Sequence, residues 1–273
     1  MKISCEFFPP KTPEGADKLL GHAKVLGALN PEYFSVTFGA GGSTQQGTLD
    51  TVMQLRDLGF EAAPHLSCVG QTRAGLREII LRYQSNGIRR IVALRGDLPS
   101  GAGSFGDFRY ANELVHFIRD TVGDSMRIKV GAYPEFHPQA RTAQDDIANF
   151  VRKVNAGADE AVTQYFYNAD AYFRFVDAVT KLGVKIPIVP GIMPIGNYSQ
   201  LKRFSDGCGA EIPRWLDWQL RSYGDDVDAI RAYGLDVVTT MCQQLLKGGA
   251  PGLHFYTMNQ SATITEIVRR IRG

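Results

Sequence analysis

The feature that most constrains the fold is an alternation of short β-rich segments with longer amphipathic segments, repeated eight times along 273 residues. Unbroken alternation predicts a parallel sheet, because right-handed helical crossovers return each strand to the same direction. Eight units predict closure into an α/β barrel of the (β/α)8, TIM type, which typically needs about 250 residues. An open doubly wound sheet is the alternative, but it would leave an eighth strand at an unprotected edge.

Apolar runs and helical spacing locate the individual elements. We predict strands at residues 3–8, 33–37, 61–66, 90–94, 128–133, 160–164, 187–191 and 253–256. We predict helices at residues 14–29, 44–58, 73–86, 110–122, 143–156, 169–182, 198–206 and 262–272, and a long helix that ends near 247. Residues 1–273 are expected to form one catalytic barrel domain, with an inserted segment near 212–226 before the last strand.

Composition excludes several classes of protein. The chain is 44% hydrophobic and 21% charged, as in ordinary soluble proteins. A net charge of +2, with acidic and basic residues interspersed, does not indicate a surface that binds nucleic acid. No apolar run approaches the roughly 20 residues of a membrane span, and Met1 leaves no room for a signal peptide before the first strand. The four cysteines are scattered, which predicts a cytoplasmic protein with reduced thiols and without a metal site.

Polar residues follow most of the predicted strands, where barrels of this type carry their active sites. The apolar fourth strand, for example, ends in Arg95, Gly96 and Asp97. Taken alone, this tripeptide is equally well explained as a solvated turn. Repetition at other strands favours a site. The polar strand-end residues are Glu6, Thr37, His65, Arg95, Asp97, Tyr133, Glu135, His137 and Gln164.

Glu6 is unusual because it lies inside an apolar strand. Helices cover the outer face of a barrel strand, so we expect its carboxylate to point toward the mouth of the barrel, where the strands end. Burial beside Phe7 and Phe8 should raise the pKa of Glu6, as a proton-donating acid at neutral pH requires. His65 alone is most simply a core histidine, but with Arg95 and His137 it could form a wall that binds an anion or a ring.

Two glycine-rich segments invite a nucleotide-binding interpretation. Gly101, Gly103 and Gly106 have the spacing of a dinucleotide fingerprint, but residues 95–100 separate them from the strand. The fingerprint requires its first glycine directly after the strand, so we reject a Rossmann site. Residues 39–42 precede a helix and could offer backbone N–H groups to a ligand. A plain tight turn explains them equally well.

The helix predicted at 143–156 has a polar stripe. Asp146, Asn149 and Lys153 fall on one face, with Arg152 beside them. Such a stripe is usually solvated. Because this helix follows a loop with Tyr133 and His137, the stripe could also hold ribose hydroxyls and a phosphate.

Eight stretches, in order along the whole chain, carry a family resemblance. They are residues 6–10 (EFFPP), 35–39 (SVTFG), 63–66 (APHL), 93–99 (ALRGDLP), 132–138 (AYPEFHP), 163–166 (TQYF), 190–194 (PGIMP) and 254–259 (HFYTMN). Together they resemble methylenetetrahydrofolate reductases of the bacterial, single-domain, flavin-dependent type. Each stretch is weak by itself, but eight in register are specific.

The resemblance implies a barrel that binds FAD, takes hydride from NADH or NADPH, and reduces 5,10-methylenetetrahydrofolate to 5-methyltetrahydrofolate. This reaction feeds one-carbon and methionine metabolism, and the resemblance also implies a homo-oligomer. A flavin-free folate-binding barrel of a methyltransferase is the alternative. A non-enzymatic scaffold would leave the polar strand ends unexplained.

The resemblance also implies roles for individual residues. Glu6 would be the general acid, and Asp97 would tune both flavin and folate. Gln164 would bind the pterin or the nicotinamide in turn, Phe204 would stack on either, and Gln200 would contact folate. The FAD site would comprise Thr37, Phe38, Ala40, His65, Arg95, Gly96, Asp97, Tyr110, Ala111, Tyr133, His137, Ala140, Asp146, Asn149, Arg152 and Lys153.

One position departs from the family pattern. Gln260 stands where the family usually has an arginine that would reach the acidic tail of folate. A neutral amide cannot make a charge-assisted, bidentate contact with a carboxylate. We therefore place Gln260 in the substrate site but expect altered recognition of the tail.

Overall fold

Parallel strands form one sheet in the computed structural model, which describes residues 1–38, 45–97 and 106–273. The strands are β1 Ile3–Phe7, β2 Phe34–Val36, β3 Ala62–Ser67, β4 Arg90–Leu94, β5 Arg127–Ala132, β6 Glu160–Thr163, β7 Ile188–Val189, β8 Gly191–Ile192 and β9 Leu253–Tyr256. The helices are α1 Pro13–Gly27, α2 Gln45–Asp57, α3 Arg73–Ser85, α4 Ala111–Val122, α5 Ala143–Asn155, α6 Ala169–Lys181, α7 Tyr198–Cys208, α8 Arg214–Ser222, α9 Val227–Lys247 and α10 Ala262–Arg272. Helix α8 lies within the predicted insertion.

The sheet closes through a divided seventh strand. The strand order is β7-β6-β5-β4-β3-β2-β1-β9-β8, and β7 and β8 flank Pro190. Proline has no N–H for a strand ladder, so the pairing is interrupted there, although the Pro190 carbonyl still accepts from the His254 N–H at 3.0 Å. The predicted α/β barrel is confirmed in this nearly closed form, but the single strand predicted at 187–191 is wrong.

Alternation along β1 separates the two sides of the barrel wall. Cys5 and Phe7 join the hydrophobic core with residues of the outer helices. Successive strand side chains point to opposite faces, so Ser4 and Glu6 face the barrel interior. The expectation that Glu6 points inward therefore agrees with the structure.

Threonine caps set the starts of several helices around the barrel. The side chains of Thr12, Thr72 and Thr142 each accept a hydrogen bond from the backbone N–H three residues later, which satisfies a free donor at the helix N-terminus. The cap at Thr142 begins α5 directly after the loop from β5, and so brings the first turn of α5 to the mouth of the barrel.

Some sequence predictions lie outside the described residues: the turn at 39–42 with Ala40, the start of α2 at 43–44, and the glycines Gly101 and Gly103. Among the described residues, no helix is both long and apolar enough to cross a membrane.

Candidate functional site

The strand ends open onto a cavity of about 580 Å³, which we call the mouth cavity. This volume lies within the range of small-molecule sites. Its walls come from the carboxyl ends of consecutive parallel strands, where ligands of such barrels bind. The predicted site residues that line it are Glu6, Thr37, Phe38, His65, Gly96, Asp97, Tyr133, Gln164 and Phe204.

A side recess of about 170 Å³ adjoins the mouth cavity. The two spaces share Leu94, Gly131 and Tyr133 in their walls. They therefore form one branched space that could take a ligand with two parts. The predicted site residues that line the side recess are Arg95, Tyr110, Ala111, Tyr133, His137, Ala140, Asp146, Asn149 and Lys153.

Glu6 lines the mouth cavity but has only 7% of its surface exposed. Its Oε2 lies 3.3 Å from Nε2 of His65 and 3.5 Å from Nε2 of His254. Neither nitrogen has a closer hydrogen-bond partner in the described parts of the chain. Burial raises the pKa of Glu6, but the two imidazoles, His65 foremost, stabilise the carboxylate and bring its pKa down to about 2. The predicted upward shift is wrong, and the resting side chain is ionised.

His254 is the partner of Glu6 that sequence reasoning missed. It lies opposite Ser4 in the register of β1 and β9, and its Nδ1 is 2.7 Å from the Ser4 hydroxyl. Burial lowers the pKa of His254, and Glu6 only partly opposes this effect. We assign a neutral imidazole whose Nδ1 accepts from Ser4 and whose Nε2–H faces Glu6. The sequence signal available for this site was the two-residue spacing of Ser4 and Glu6. That spacing puts both side chains on the same face of β1, the face that His254 contacts.

In the side recess, α5 supplies charged groups from both its first and its last turn. Asp146 is buried and accepts from the His137 N–H at 3.0 Å. Lys153 donates to the Gly131 carbonyl at 2.5 Å. Burial lowers the pKa of Lys153 to about 8, while Asp146 acts in the opposite direction. Burial also lowers the pKa of His137, with Arg95 contributing. An anionic ligand in the side recess would stabilise the positively charged forms of Lys153 and His137, which burial disfavours.

Gly96 and Asp97 form the turn after β4. Gly96 has a φ of 82°, and a Cβ at this position would lie 2.8 Å from the Ser67 Cβ. Only glycine fits such a turn without strain. The turn presents the exposed Asp97 side chain at the mouth cavity. A charge at this position can act on a ligand in the cavity, although solvent screens part of its effect.

Some predicted residues stand apart from both spaces. Arg152 is exposed, and its Nη1 donates to Asn149 Oδ1 at 2.5 Å. Gln200 and Gln260 are also exposed, and none of these three lines the mouth cavity or the side recess. Gln164 and Phe204, by contrast, both line the mouth cavity. The remaining predicted residue, Ala40, lies outside the described residues.

The chain resembles known proteins at the levels of family and sequence. The profile of the family described as "Methylenetetrahydrofolate reductase" matches residues 1–272. The 5,10-methylenetetrahydrofolate reductase of Escherichia coli (strain K12) is 39% identical over 262 residues, covering 96% of this chain and 87% of the relative. The enzyme of the same name from Buchnera aphidicola subsp. Schizaphis graminum (strain Sg) is 40% identical over 269 residues, covering 97% and 91%.

Among solved structures, a protein from Clostridium thermocellum that binds two copies of 5-methyl-5,6,7,8-tetrahydrofolic acid has the same fold. It superposes with a TM-score of 0.69, over 98% of this chain and 92% of the other, at 17% sequence identity. At that identity the likeness concerns the fold alone.

Proposed function

The chain belongs to the methylenetetrahydrofolate reductase family, and from that membership we propose that it reduces 5,10-methylenetetrahydrofolate to 5-methyltetrahydrofolate, with FAD as cofactor and NADH or NADPH as hydride donor. The observation that carries this proposal is the buried Glu6 carboxylate, which faces two imidazoles in the wall of the mouth cavity. The one-carbon bridge of the substrate must open before it accepts hydride. Opening requires protonation of a poor leaving nitrogen, and Glu6 would deliver that proton.

The branched space suits FAD on chemical grounds. The side recess offers Lys153 and His137 to phosphate oxygens and hydroxyls. The mouth cavity combines apolar walls with Thr37, whose buried hydroxyl has no hydrogen-bond partner in the parts of the chain that are described. An unpaired buried hydroxyl is costly, and a polar ring edge would satisfy it. When bound, FAD would supply the hydride transfer between nicotinamide and folate.

Glu6 would pass a proton rather than store one. Since its pKa is about 2, it is ionised between turnovers. Nε2 of His65 and the Nε2–H of His254 face the carboxylate, so a proton can pass from His254 through Glu6 to the folate nitrogen. A positioned general acid contributes about 10²–10⁴-fold to such a step.

The remaining predicted residues would hold the substrate. Gln164 and Phe204 line the mouth cavity together with Tyr256 and Met258. An amide can hydrogen-bond a pterin or a nicotinamide carboxamide, and a phenyl ring can stack on either. Both hydride donor and hydride acceptor could therefore use the same place in turn.

Two spectroscopic steps test the proposal. The protein, purified or reconstituted with FAD, should be yellow and should bleach under anaerobic conditions on addition of NADH or NADPH. Addition of methylenetetrahydrofolate should then restore the flavin absorbance and yield 5-methyltetrahydrofolate. A colourless protein that binds methyltetrahydrofolate and cannot be reconstituted with FAD would contradict the proposal and favour a methyltransferase barrel.

A further inference from the structure

Polar side chains continue behind Glu6 through the interior of the barrel toward its floor, the end where the strands begin. His254 follows Glu6, and Ser4 contacts His254 Nδ1 at 2.7 Å. The Ser4 side chain interacts with the Tyr33 phenol, and the Tyr33 ring stacks on the His254 imidazole with centroids 6.3 Å apart. The Lys129 ammonium donates to the Tyr33 hydroxyl and lies 3.3 Å from Glu160 Oε1. The interior column thus comprises Glu6, His254, Ser4, Tyr33, Lys129 and Glu160.

The middle of this column is isolated from bulk water. Ser4, Tyr33, Lys129 and His254 are each at most 5% exposed. Burying a lysine costs free energy unless it is paired and hydrogen-bonded, and Lys129 has both Glu160 and Tyr33 as partners. Its ammonium also lies 4.7 Å from the centroid of the Tyr33 ring. The column is thus a run of buried polar side chains in which the Lys129 ammonium is paired with Glu160 and Tyr33.

Every donor in the column can point the same way. Lys129 has only donors, so the Tyr33 oxygen accepts from it. The Tyr33 O–H is then free to donate toward Ser4, and the Ser4 O–H toward His254 Nδ1. The Nε2–H of His254 then faces the Glu6 carboxylate, so every donor in the column points toward Glu6. Burial raises the pKa of Tyr33, so the phenol stays protonated between transfers. A uniform donor order is what a concerted relay of protons needs.

The column ends at a second opening. A cavity of about 190 Å³ lies at the floor, lined by Ser4 and Glu160 and by residues that precede or begin strands, such as Lys2, Arg90 and Arg127. The Glu160 side chain is 12% exposed, so it can exchange protons with water there. The floor cavity is at the opposite end of the strands from the mouth cavity.

We propose that the interior column delivers protons from water at the floor to Glu6 while ligands fill the mouth. This inference rests on the proposed reductase function, which consumes one proton at Glu6 in each turnover. Flavin and folate in the mouth cavity would exclude water from the direct route. A route through the floor would leave the ligands undisturbed.

The transfer balances without any redox change in the column. The Glu6 carboxylate takes a proton from His254 Nε2 and passes it to the folate nitrogen. Nδ1 of His254 takes the Ser4 proton, Ser4 takes the Tyr33 proton, and the Tyr33 oxygen takes one from the Lys129 ammonium. The neutral amine regains a proton from floor water through Glu160. Hydroxyl rotation and a tautomer change of His254 then reset the column.

The test compares Tyr33→Phe with Tyr83→Phe, a matched loss of one buried hydroxyl outside the column. In the FAD-loaded enzyme, reduction by NAD(P)H should stay within about twofold for both variants. Reoxidation by methylenetetrahydrofolate should fall about tenfold or more in Tyr33→Phe alone, within the contribution of a general acid. The dependence of this rate on the deuterium fraction of the solvent should change from curved to linear. If Tyr33→Phe does not fold, Lys129→Met interrupts the interior column at a second position and is tested in its place.

Equal reoxidation rates in the two tyrosine variants would overturn the proposal that protons pass through the interior column. A third arm needs no turnover: ¹⁵N NMR of the unloaded protein should show His254 as the Nε2–H tautomer, with Nδ1 resonances that shift in Tyr33→Phe and not in Tyr83→Phe. If the wild-type flavoprotein is not reoxidised by methylenetetrahydrofolate, the proposed reaction fails on its own. Unchanged His254 resonances in Tyr33→Phe would then overturn the column separately.

Discussion

Asn259 holds the backbone of Phe8 at two points. Its Oδ1 accepts from the Phe8 N–H at 2.8 Å, and its Nδ2 donates to the Phe8 carbonyl at 3.0 Å. Phe8 follows β1 and Asn259 follows β9, so this clamp joins two neighbouring strand ends at the mouth. Asn259 also has a φ of 54°, a left-handed conformation that asparagine tolerates better than most residues.

Removing the clamp should destabilise the barrel mouth. We expect Asn259→Gly, which keeps the backbone freedom, to lower the free energy of unfolding by about 1–3 kcal/mol, since it leaves two partly buried backbone groups unpaired. Asn259→Ala should cost about 1 kcal/mol more, because alanine disfavours the left-handed conformation. Urea denaturation measures both. Two variants within 0.5 kcal/mol of the wild type, roughly the effect of an ordinary surface substitution, would contradict the clamp.

Replacement of Glu6 should separate the two half-reactions. Glu6→Gln keeps the size and removes the proton-carrying carboxyl. We expect reoxidation by methylenetetrahydrofolate to fall at least about 10²-fold, and reduction by NAD(P)H to change by roughly tenfold or less. Stopped-flow absorbance of each step checks this, with the exposed Glu78→Gln as control. Equal slowing of both steps would mean that Glu6 positions the flavin instead.

Lys153 should make FAD binding depend on pH. Its pKa of about 8 means that the cation that favours phosphate is present below pH 8 and lost above it. Affinity for FAD should therefore weaken as pH rises, by about tenfold one unit above the pKa. Fluorescence titration of the apoprotein from pH 6.5 to 9 measures this dependence. Lys153→Met should bind more weakly at pH 7 with a flat profile, whereas the exposed Lys185→Met should behave as wild type.

Asp97 should lower the flavin potential, because a negative charge near the ring disfavours the reduced, anionic flavin. Asp97→Asn is expected to raise the midpoint potential by on the order of 10–30 mV, a modest shift since the side chain is exposed and screened. Folate turnover should weaken as well. Dye-equilibrated photoreduction gives the potential, with Asp120→Asn on the outer helix α4 as control. An unchanged potential together with unchanged folate kinetics would place Asp97 away from both ligands.

Gln260 offers a gain-of-contact experiment. If the chain has lost a bidentate contact to the folate tail, Gln260→Arg should lower the folate KM more than it changes kcat, the pattern of uniform binding. Gln260→Lys should have a smaller effect, because a point charge cannot bind a carboxylate in a fork. Steady-state kinetics with mono- and polyglutamylated substrate measures both. A flat KM would show that the tail is bound elsewhere or lies in solvent.

Sequence periodicity predicted the barrel because each unit buries its own apolar face, which is local information. The bounds of β4, β9 and α10 match the prediction. The division of the seventh strand at Pro190 was missed, because a run of apolar residues does not reveal that its two halves pair with different neighbours, β6 and β9.

The ionisation of Glu6 was the main error at the site. Local sequence contains the neighbouring phenylalanines, which argue for a raised pKa, but not the imidazoles of His65 and His254. The position of Glu6 follows from strand alternation, whereas its charge depends on residues from β3 and β9. The interior column escaped notice for the same reason, since Tyr33 directly precedes β2 whereas Lys129 and Glu160 belong to β5 and β6.

The pairing of β1 with β9 determines when, during synthesis of the chain, the barrel can close. Ser4 and His254 are 250 positions apart, so Glu6 is synthesised long before His254, the more distant in sequence of its two imidazole partners. At about 5–20 residues per second, the interval is on the order of 10–50 s. Throughout that time the nascent chain lacks the contact between Glu6 and His254 and presents β1 without its neighbour β9. Quality-control factors would thus meet a chain with an open β1 edge, and the contact between Glu6 and His254 can form only after β9 is in place.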